Sequence, residues 1–181
     1  AGWPTFSLPG HASIHTGAYQ GHHGLLSNSF LDRSSGIVVP SVSLEEALLD
    51  PERGAAALSS LMSPEVETLF EAVLRTQPEA TAANINELTF RGANWSRLLP
   101  SGPPPPSLDD YLRYSLADQS AVIQAELLFE EVGPPEFLAL SLYLTDATGE
   151  GQGPHSDLLR EAMVQTDERI GQILDLYAAA D

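Results

Sequence analysis

The chain has 181 residues, 43% of them hydrophobic, which suits one domain with a substantial core. Its eight cationic residues are all arginine and face 25 acidic ones, so the net charge is −17. This surface repels nucleic-acid polymers and anionic membranes, and no apolar run approaches the roughly 20 residues needed to cross a bilayer. A mean hydropathy of −0.07 fits a folded soluble domain. The absence of cysteine excludes disulfides and thiolate metal sites and leaves the redox compartment unread.

The chain opens Ala1-Gly2 rather than on Met, which points to a processed or truncated N-terminus. In Trp3-Pro4-Thr5-Phe6-Ser7-Leu8-Pro9-Gly10-His11, Ser7 lies between an apolar approach and a Pro-Gly turn. Ala12 to Gly17 reads as a short helix stopped by glycine. Ser7 then falls at or just before a helix N-terminus, where unpaired N–H groups and the helix dipole favour an anion. That suits an alkoxide attacking phosphorus, although a serine in this place is by itself an ordinary helix cap. Four closely spaced histidines follow, His11, His15, His22 and His23. His11 and His15 are spaced i,i+4, but a histidine pair without a third ligand is a poor metal site.

Leu25 to Phe30 leads into a short extended piece, and Gly36-Ile37-Val38-Val39-Pro40 reads as a strand end. Ser43-Leu44-Glu45-Glu46 has the form of a capping box. Ser63-Pro64-Glu65-Val66 predicts a helix start, followed by an apolar stripe of Val66, Leu69, Phe70, Val73 and Leu74 as far as Arg75. Thr81 to Glu87 reads as a strand, and the segment Phe90-Arg91-Gly92-Ala93-Asn94-Trp95 follows it. Arg91 has two readings there: a bidentate grip on a substrate phosphate or carboxylate, or a structural salt bridge within the loop. The proline-rich tract at 100–106 must be extended and reads as a surface excursion within the domain.

Ser107-Leu108-Asp109-Asp110 caps a long helix to about Val132, with Tyr111, Tyr114, Leu116, Val122, Ile123, Leu127 and Leu128 as its inner face. The nearly continuous apolar run from Phe137 predicts a strand buried on both faces. Asp146 would end that strand, at the edge where α/β sheets hold their ligands. Ser156 caps a final helix whose stripe is Leu158, Leu159, Met163, Ile170, Ile173, Leu174 and Tyr177. Strands alternating with helices predict an α/β/α sandwich with a mostly parallel sheet.

Pro4-Thr5-x-Ser7-x-Pro9-Gly10-His11, then Thr16-Gly17, then His23-Gly24-Leu25-Leu26-x-Asn28, occur in order with tight spacing. This set resembles the type I phosphodiesterase/nucleotide pyrophosphatase branch of the alkaline phosphatase superfamily. The resemblance implies an alkaline-phosphatase-like catalytic domain, of which residues 1–181 form an incomplete part. It makes Ser7 the nucleophile, more often threonine in the family, and Asn28 a contact to a phosphoryl oxygen. It also implies that His11 and His23 fix local turns by side-chain hydrogen bonds, leaving His15 and His22 as surface residues. Asn86-Glu87-x-x-x-Arg91-Gly92-Ala93 resembles a segment that ends a strand beside the active site in some bacterial members.

Asp146-Ala147-Thr148-Gly149-Glu150-Gly151-Gln152-Gly153-Pro154 is similar to the family's Asp-x-x-Gly-His-x-x-Gly-Pro, whose Asp and His bind one of two catalytic zinc ions. Glu150 stands where the histidine is expected. A carboxylate can bind zinc but shifts preference toward Mn²⁺, Mg²⁺ or Ca²⁺. His155 is out of register and reads as a loop residue. The family's remaining metal ligands, an upstream aspartate and a downstream Asp-His pair and histidine, have no counterpart in this chain. The expected function is metal-dependent hydrolysis of small phosphate esters through a covalent phosphoserine. Two divalent ions, zinc first, would serve the intact enzyme, and the 181-residue chain alone would be inactive; the location is unknown from the sequence, the family resemblance leaning to extracytoplasmic. The alternative is a non-catalytic remnant or binding domain on the same scaffold. A phosphonate hydrolase or sulfatase is a third reading, but no sulfatase signature is present.

Overall fold

The computed structural model describes residues 6–33, 36–39, 60–98 and 109–180. Helix α1 (Ser7–Thr16) and the short α2 (Gln20–His23) lead to an antiparallel hairpin of β1 (Phe30–Asp32) and β2 (Ile37–Val39). Helix α3 (Leu69–Thr76) precedes strands β3 (Ala82–Ile85) and β4 (Trp95–Arg97). The long helix α4 (Asp110–Val132), strand β5 (Phe137–Leu140), and helices α5 (Leu144–Gln152) and α6 (Asp157–Ala180) complete the order.

Strand β3 is central, pairing in parallel with β4 on one side and β5 on the other; Ala83 stands opposite both Trp95 and Leu138. Its alternation sorts the two faces. Ala83 and Ile85 pack with Ala121, Ala125 and Leu128 of α4, and Ile173 and Leu176 of α6 close that side. Ala82 and Ala139 meet Phe70 of α3 on the other face. The result is the alkaline-phosphatase-like α/β/α layering, with a small sheet. Alanine dominates the contact between β3 and α4, which lets a long helix lie close to the strand.

Local chemistry sets the helix ends. Thr68 and Glu71 form a capping box at α3: the Thr68 hydroxyl accepts the Glu71 N–H at 3.1 Å, and Glu71 accepts the Thr68 N–H at 2.8 Å. This reciprocal cap, not Ser63, starts the helix; at Ser63 the side chain instead accepts the Glu65 N–H in a turn, at 3.2 Å. Asp109 caps α4 and Ser156 caps α6, accepting from Leu112 at 2.9 Å and Leu159 at 3.1 Å. Pro9-Gly10 is not a turn but the first turn of α1, with the Gly10 N–H on the Phe6 carbonyl at 3.0 Å. Proline is tolerated there because an N–H in the first turn has no intrahelical acceptor to lose.

Three apolar expectations shift. On α4 the core stripe is Ala117, Ala121, Val122, Ala125 and Leu128, while Leu116, Ile123 and Leu127 are exposed. On α6, Leu159 and Ala162 are buried and Met163, Ile170 and Leu174 are exposed. Strand β5 buries only Ala139 fully because it is an edge of the three-stranded sheet. The capping-box reading at Ser43–Glu46, the proline-rich tract and the Trp3-Pro4-Thr5 part of the first motif lie outside the described residues. Among the described residues, no helix is long and apolar enough to cross a membrane.

Candidate active site

Ser7 is the first residue of α1, and Phe6, at the cap position, offers no side-chain acceptor. Asn28 supplies one from twenty residues further along: its Oδ1 accepts the Leu8 N–H at 2.9 Å. The loop bearing Asn28 is fixed to α1 by His23. Its Nδ1 accepts the Leu25 N–H at 3.1 Å, so Nε2 carries the proton and donates to the Ser13 hydroxyl at 3.1 Å. Burial lowers the His23 pKa, outweighing a local backbone hydrogen bond, and keeps the ring in this neutral tautomer.

The same bond decides how Asn28 presents itself. An N–H must meet an oxygen, so the amide's NH₂ is the group left over, and it has no acceptor among the described residues. The backbone donors at this helix end are fewer than the sequence suggested. Pro9 has none, Leu8 is used by Asn28, and Gly10 bonds Phe6. The Ser7 N–H remains. The helix start thus offers one hydroxyl, one backbone N–H and one side-chain amide.

Asp146 is not at the end of a strand. The chain leaves β5 at Leu140, and the buried Asp118 of α4 accepts the Tyr143 and Leu144 N–H groups at 2.6 and 3.1 Å, which starts α5 ahead of Asp146. Burial raises the Asp118 pKa, against those two bonds and the Arg169 charge 3.8 Å away. Asp146 therefore lies in the first turn of α5 and Glu150 one turn on, on the same face. Two carboxylates suit a divalent cation, but no group of three or more potential ligands exists among the described residues. By themselves these two do not make a two-metal site.

Arg91 is held on every side. Its Nε and Nη2 donate to the two Glu71 oxygens at 2.8 and 3.1 Å, Nη1 donates to the Ser63 carbonyl at 3.0 Å, and Nη2 also reaches the Val66 carbonyl. This is the structural salt bridge of its two sequence readings. A bidentate grip on a substrate would require release of Glu71. The bridge borders a surface cleft of about 450 Å³ lined also by Pro64, Val66 and the acidic Glu65 and Glu67.

One cluster was missed by the sequence reading. Asn86, in the left-handed region at φ 59°, turns the chain out of β3 and sends Glu87 into the interior. Glu87 Oε1 accepts the Leu88 N–H at 2.7 Å and pairs with His11 Nδ1; Oε2 accepts the Ser141 hydroxyl at 2.9 Å and lies 3.8 Å from His15 Nε2. His15 is buried, not on the surface, with Nδ1 donating to the Thr89 carbonyl at 2.6 Å and its ring edge against Phe70. Burial would raise the Glu87 pKa, but the His11 hydrogen bond, the charges of His11 and His15 and the Leu88 N–H lower it. Burial would lower the His11 pKa, but the Glu87 bond and the charges of Glu87 and Asp146 raise it. Asp146 is thus within electrostatic range of His11, which lies one turn of α1 beyond Ser7. The Asn86-Glu87 end of the predicted strand, part of the segment that resembles one beside the family's active site, was the available signal for Glu87.

Helices on both faces of a parallel sheet make this an α/β/α protein, with a hydroxyl at the start of α1 and two carboxylates on α5. Residues 1–180 match the sequence profile of the type I phosphodiesterase / nucleotide pyrophosphatase family, and the chain belongs to that family. Among solved structures it is similar to murine ectonucleotide pyrophosphatase/phosphodiesterase 5, with a TM-score of 0.64 and 16% identity over 96% of this chain and 41% of that one. An inactive threonine-to-alanine variant of that protein in complex with AMP aligns with a TM-score of 0.58 and 17% identity, with the same 96% and 41% coverage. Phosphonoacetate hydrolase from Sinorhizobium meliloti 1021, in complex with phosphonoformate, gives 0.59 and 15% identity over 96% of this chain and 43% of that one. At such identities the likeness is one of fold, and the chain spans about two-fifths of each neighbour's length. No curated protein sequence matches the chain.

Proposed function

We propose that this chain is the nucleophile-bearing part of a phosphoester hydrolase of the phosphodiesterase/nucleotide pyrophosphatase type. The observation that carries this reading is the start of α1, where Ser7 is the first residue and the Asn28 side chain is bonded to the adjoining Leu8 N–H. Ser7 Oγ, its proton released to solvent, attacks phosphorus in line with the leaving oxygen; the new P–O bond forms as the old one breaks, the leaving oxygen takes up a proton from solvent, and a phosphoserine remains. The Asn28 NH₂ and the Ser7 N–H donate to non-bridging oxygens, which gather negative charge in the transition state. Water then attacks the phosphoserine and frees Ser7 and phosphate.

A small phosphorylated molecule is the substrate class, in keeping with the AMP and phosphonoformate bound by structural neighbours. Asp146 and Glu150 would give two carboxylates to a divalent-metal site whose other ligands are not among the described residues. Their chemistry admits zinc and, through Glu150, Mn²⁺, Mg²⁺ or Ca²⁺.

The test is hydrolysis of chromogenic phosphodiesters and monoesters by the longest natural form of the protein, with and without divalent metal. Ser7→Ala should lower the rate by at least about 10³-fold. Acid quenching of the wild type should trap phosphate on Ser7, read by mass spectrometry. Undiminished hydrolysis by Ser7→Ala would overturn the reading and leave a binding domain on this scaffold.

A further inference from the structure

The pair His11–Glu87 carries an inference that rests on the Ser7 reading above. Ser7, His11 and His15 follow one another at i, i+4 and i+8 along a single face of α1. His15 and Glu87 are closed off from solvent, with side-chain exposures of 5% and 7%, but His11 is 29% exposed. The pair therefore runs from the interior out to the surface one helical turn from the proposed nucleophile.

Glu87 is held more firmly than a tether needs. Leu88 N–H, the Ser141 hydroxyl and His11 bond its two oxygens, His15 lies beside them, and its own N–H donates to Asn84 Oδ1 at 2.9 Å. Those contacts come from β3, from the segment after β5 and from α1, so the carboxylate is fixed relative to all three. Through Nδ1 it fixes the plane of the His11 ring. The ring's Nε2 has no partner among the described residues.

The electrostatic setting gives that nitrogen a use. In a chain of net charge −17, an incoming phosphoryl group meets repulsion. Arg91 cannot offset this, because its guanidinium is spent on Glu71 and backbone carbonyls.

We propose that His11 is a second phosphoryl-contacting residue, its Nε2–H donating to a non-bridging oxygen of the group held at Ser7, and that Glu87 is the residue that positions its ring. The donor role needs the imidazolium, and the Glu87 bond and charge favour that form.

Two variants of the full protein separate contact from tether. Asparagine at position 11 keeps a donor at the place of Nδ1, facing Glu87, and has nothing at the place of Nε2. Glutamine does the reverse. His11→Asn should keep the hydrogen bond to Glu87 and stay folded, and lose about 10²-fold in kcat/KM. It should also weaken inhibition by inorganic phosphate about tenfold. His11→Gln should recover part of both losses, and Glu87→Gln should raise the phosphate inhibition constant in the same direction as His11→Asn. Wild-type kinetics in His11→Asn, with Ser7→Ala inactive, would overturn this inference alone and make the pair a structural tether. Full activity in Ser7→Ala would instead remove the hydrolase reading and this inference with it.

Discussion

Asn28 does two jobs that a pair of substitutions can pull apart. Its Oδ1 satisfies the Leu8 N–H at 2.9 Å, and in the proposed hydrolase its NH₂ would donate to a phosphoryl oxygen. Asn28→Ala removes both, and should cost about 1 kcal/mol of stability, the usual value of a helix-capping side chain. Asn28→Asp keeps an oxygen on the Leu8 N–H and adds a negative charge at a helix N-terminus, which contributes roughly 0.3–1 kcal/mol. Its stability should therefore equal or exceed wild type. The carboxylate, however, replaces the donor with a charge that repels the phosphoryl oxygens. Loss of one such donor lowers kcat by about 10²–10³-fold, or roughly 2.7–4 kcal/mol of transition-state stabilisation, and the aspartate should do at least that much. Urea unfolding and phosphoester kinetics on the same preparations give both numbers. An active Asn28→Asp, or equal stability losses in the two variants, would refute the assignment.

Gly92→Ala should destabilise by about 1–3 kcal/mol: φ is +93°, and a Cβ would lie 2.5 Å from Glu71 Cγ and 3.1 Å from its backbone nitrogen, forcing apart the Arg91 clamp; an unchanged melting temperature would contradict this. Asp118→Ala strands the Tyr143 and Leu144 N–H groups and leaves Arg169 buried without its carboxylate, so it should cost about 3–5 kcal/mol in urea unfolding; a loss under about 1 kcal/mol would mean that Asp118 does not hold α5. For the His11–Glu87 pair, the folded Glu87 pKa lies below 4.5, so its contribution is present above 4.5 and lost as pH falls through the folded value. The folded His11 pKa lies above 6.5, so its contribution is whole below 6.5 and lost as pH rises through the folded value. The stability difference between wild type and Glu87→Gln should be greatest between pH 4.5 and 6.5 and shrink on both sides, and a pH-independent difference would count against the pair.

The fold was legible where one residue type carries one physical role. Asp109 capping α4, Gly17 ending α1 in the left-handed region, and Ser156 capping α6 are local events decided by local chemistry. The inner faces of α4 and α6 were legible only in part, at Val122, Leu128, Leu159 and Ile173, because hydrophobicity does not say which side of a helix meets the sheet. On α4 the sheet takes Ala121 and Ala125, whose small size permits close packing, and leaves the larger Leu116, Ile123 and Leu127 outside. The start of α3 was misplaced for a related reason. Ser63-Pro64 has the composition of a helix start, yet Thr68 and Glu71 close a reciprocal pair that Ser63 cannot.

The site divides along the same line. Ser7 and Asn28 belong to one ordered motif, and Asn28 reaches back over twenty residues to hold the Leu8 N–H next to Ser7. Asp146 and Glu150 were identifiable as a pair, but their placement on a helix depends on Asp118, a buried carboxylate on a different element that no local pattern announces. Glu87 is the extreme case. Its partners come from α1, from its own strand end and from the residue after β5, so its role exists only once the three are assembled. A carboxylate taken out of water in this way is tolerated only with compensating partners. Here the partners include a histidine on the helix that begins with Ser7. Fixing the carboxylate therefore fixes the rotation of α1 about its axis, and with it the direction in which the Ser7 hydroxyl is presented. The buried charge and the half-buried Ser7 hydroxyl are consequently two ends of one rigid unit, and a substitution at either end should be felt at the other.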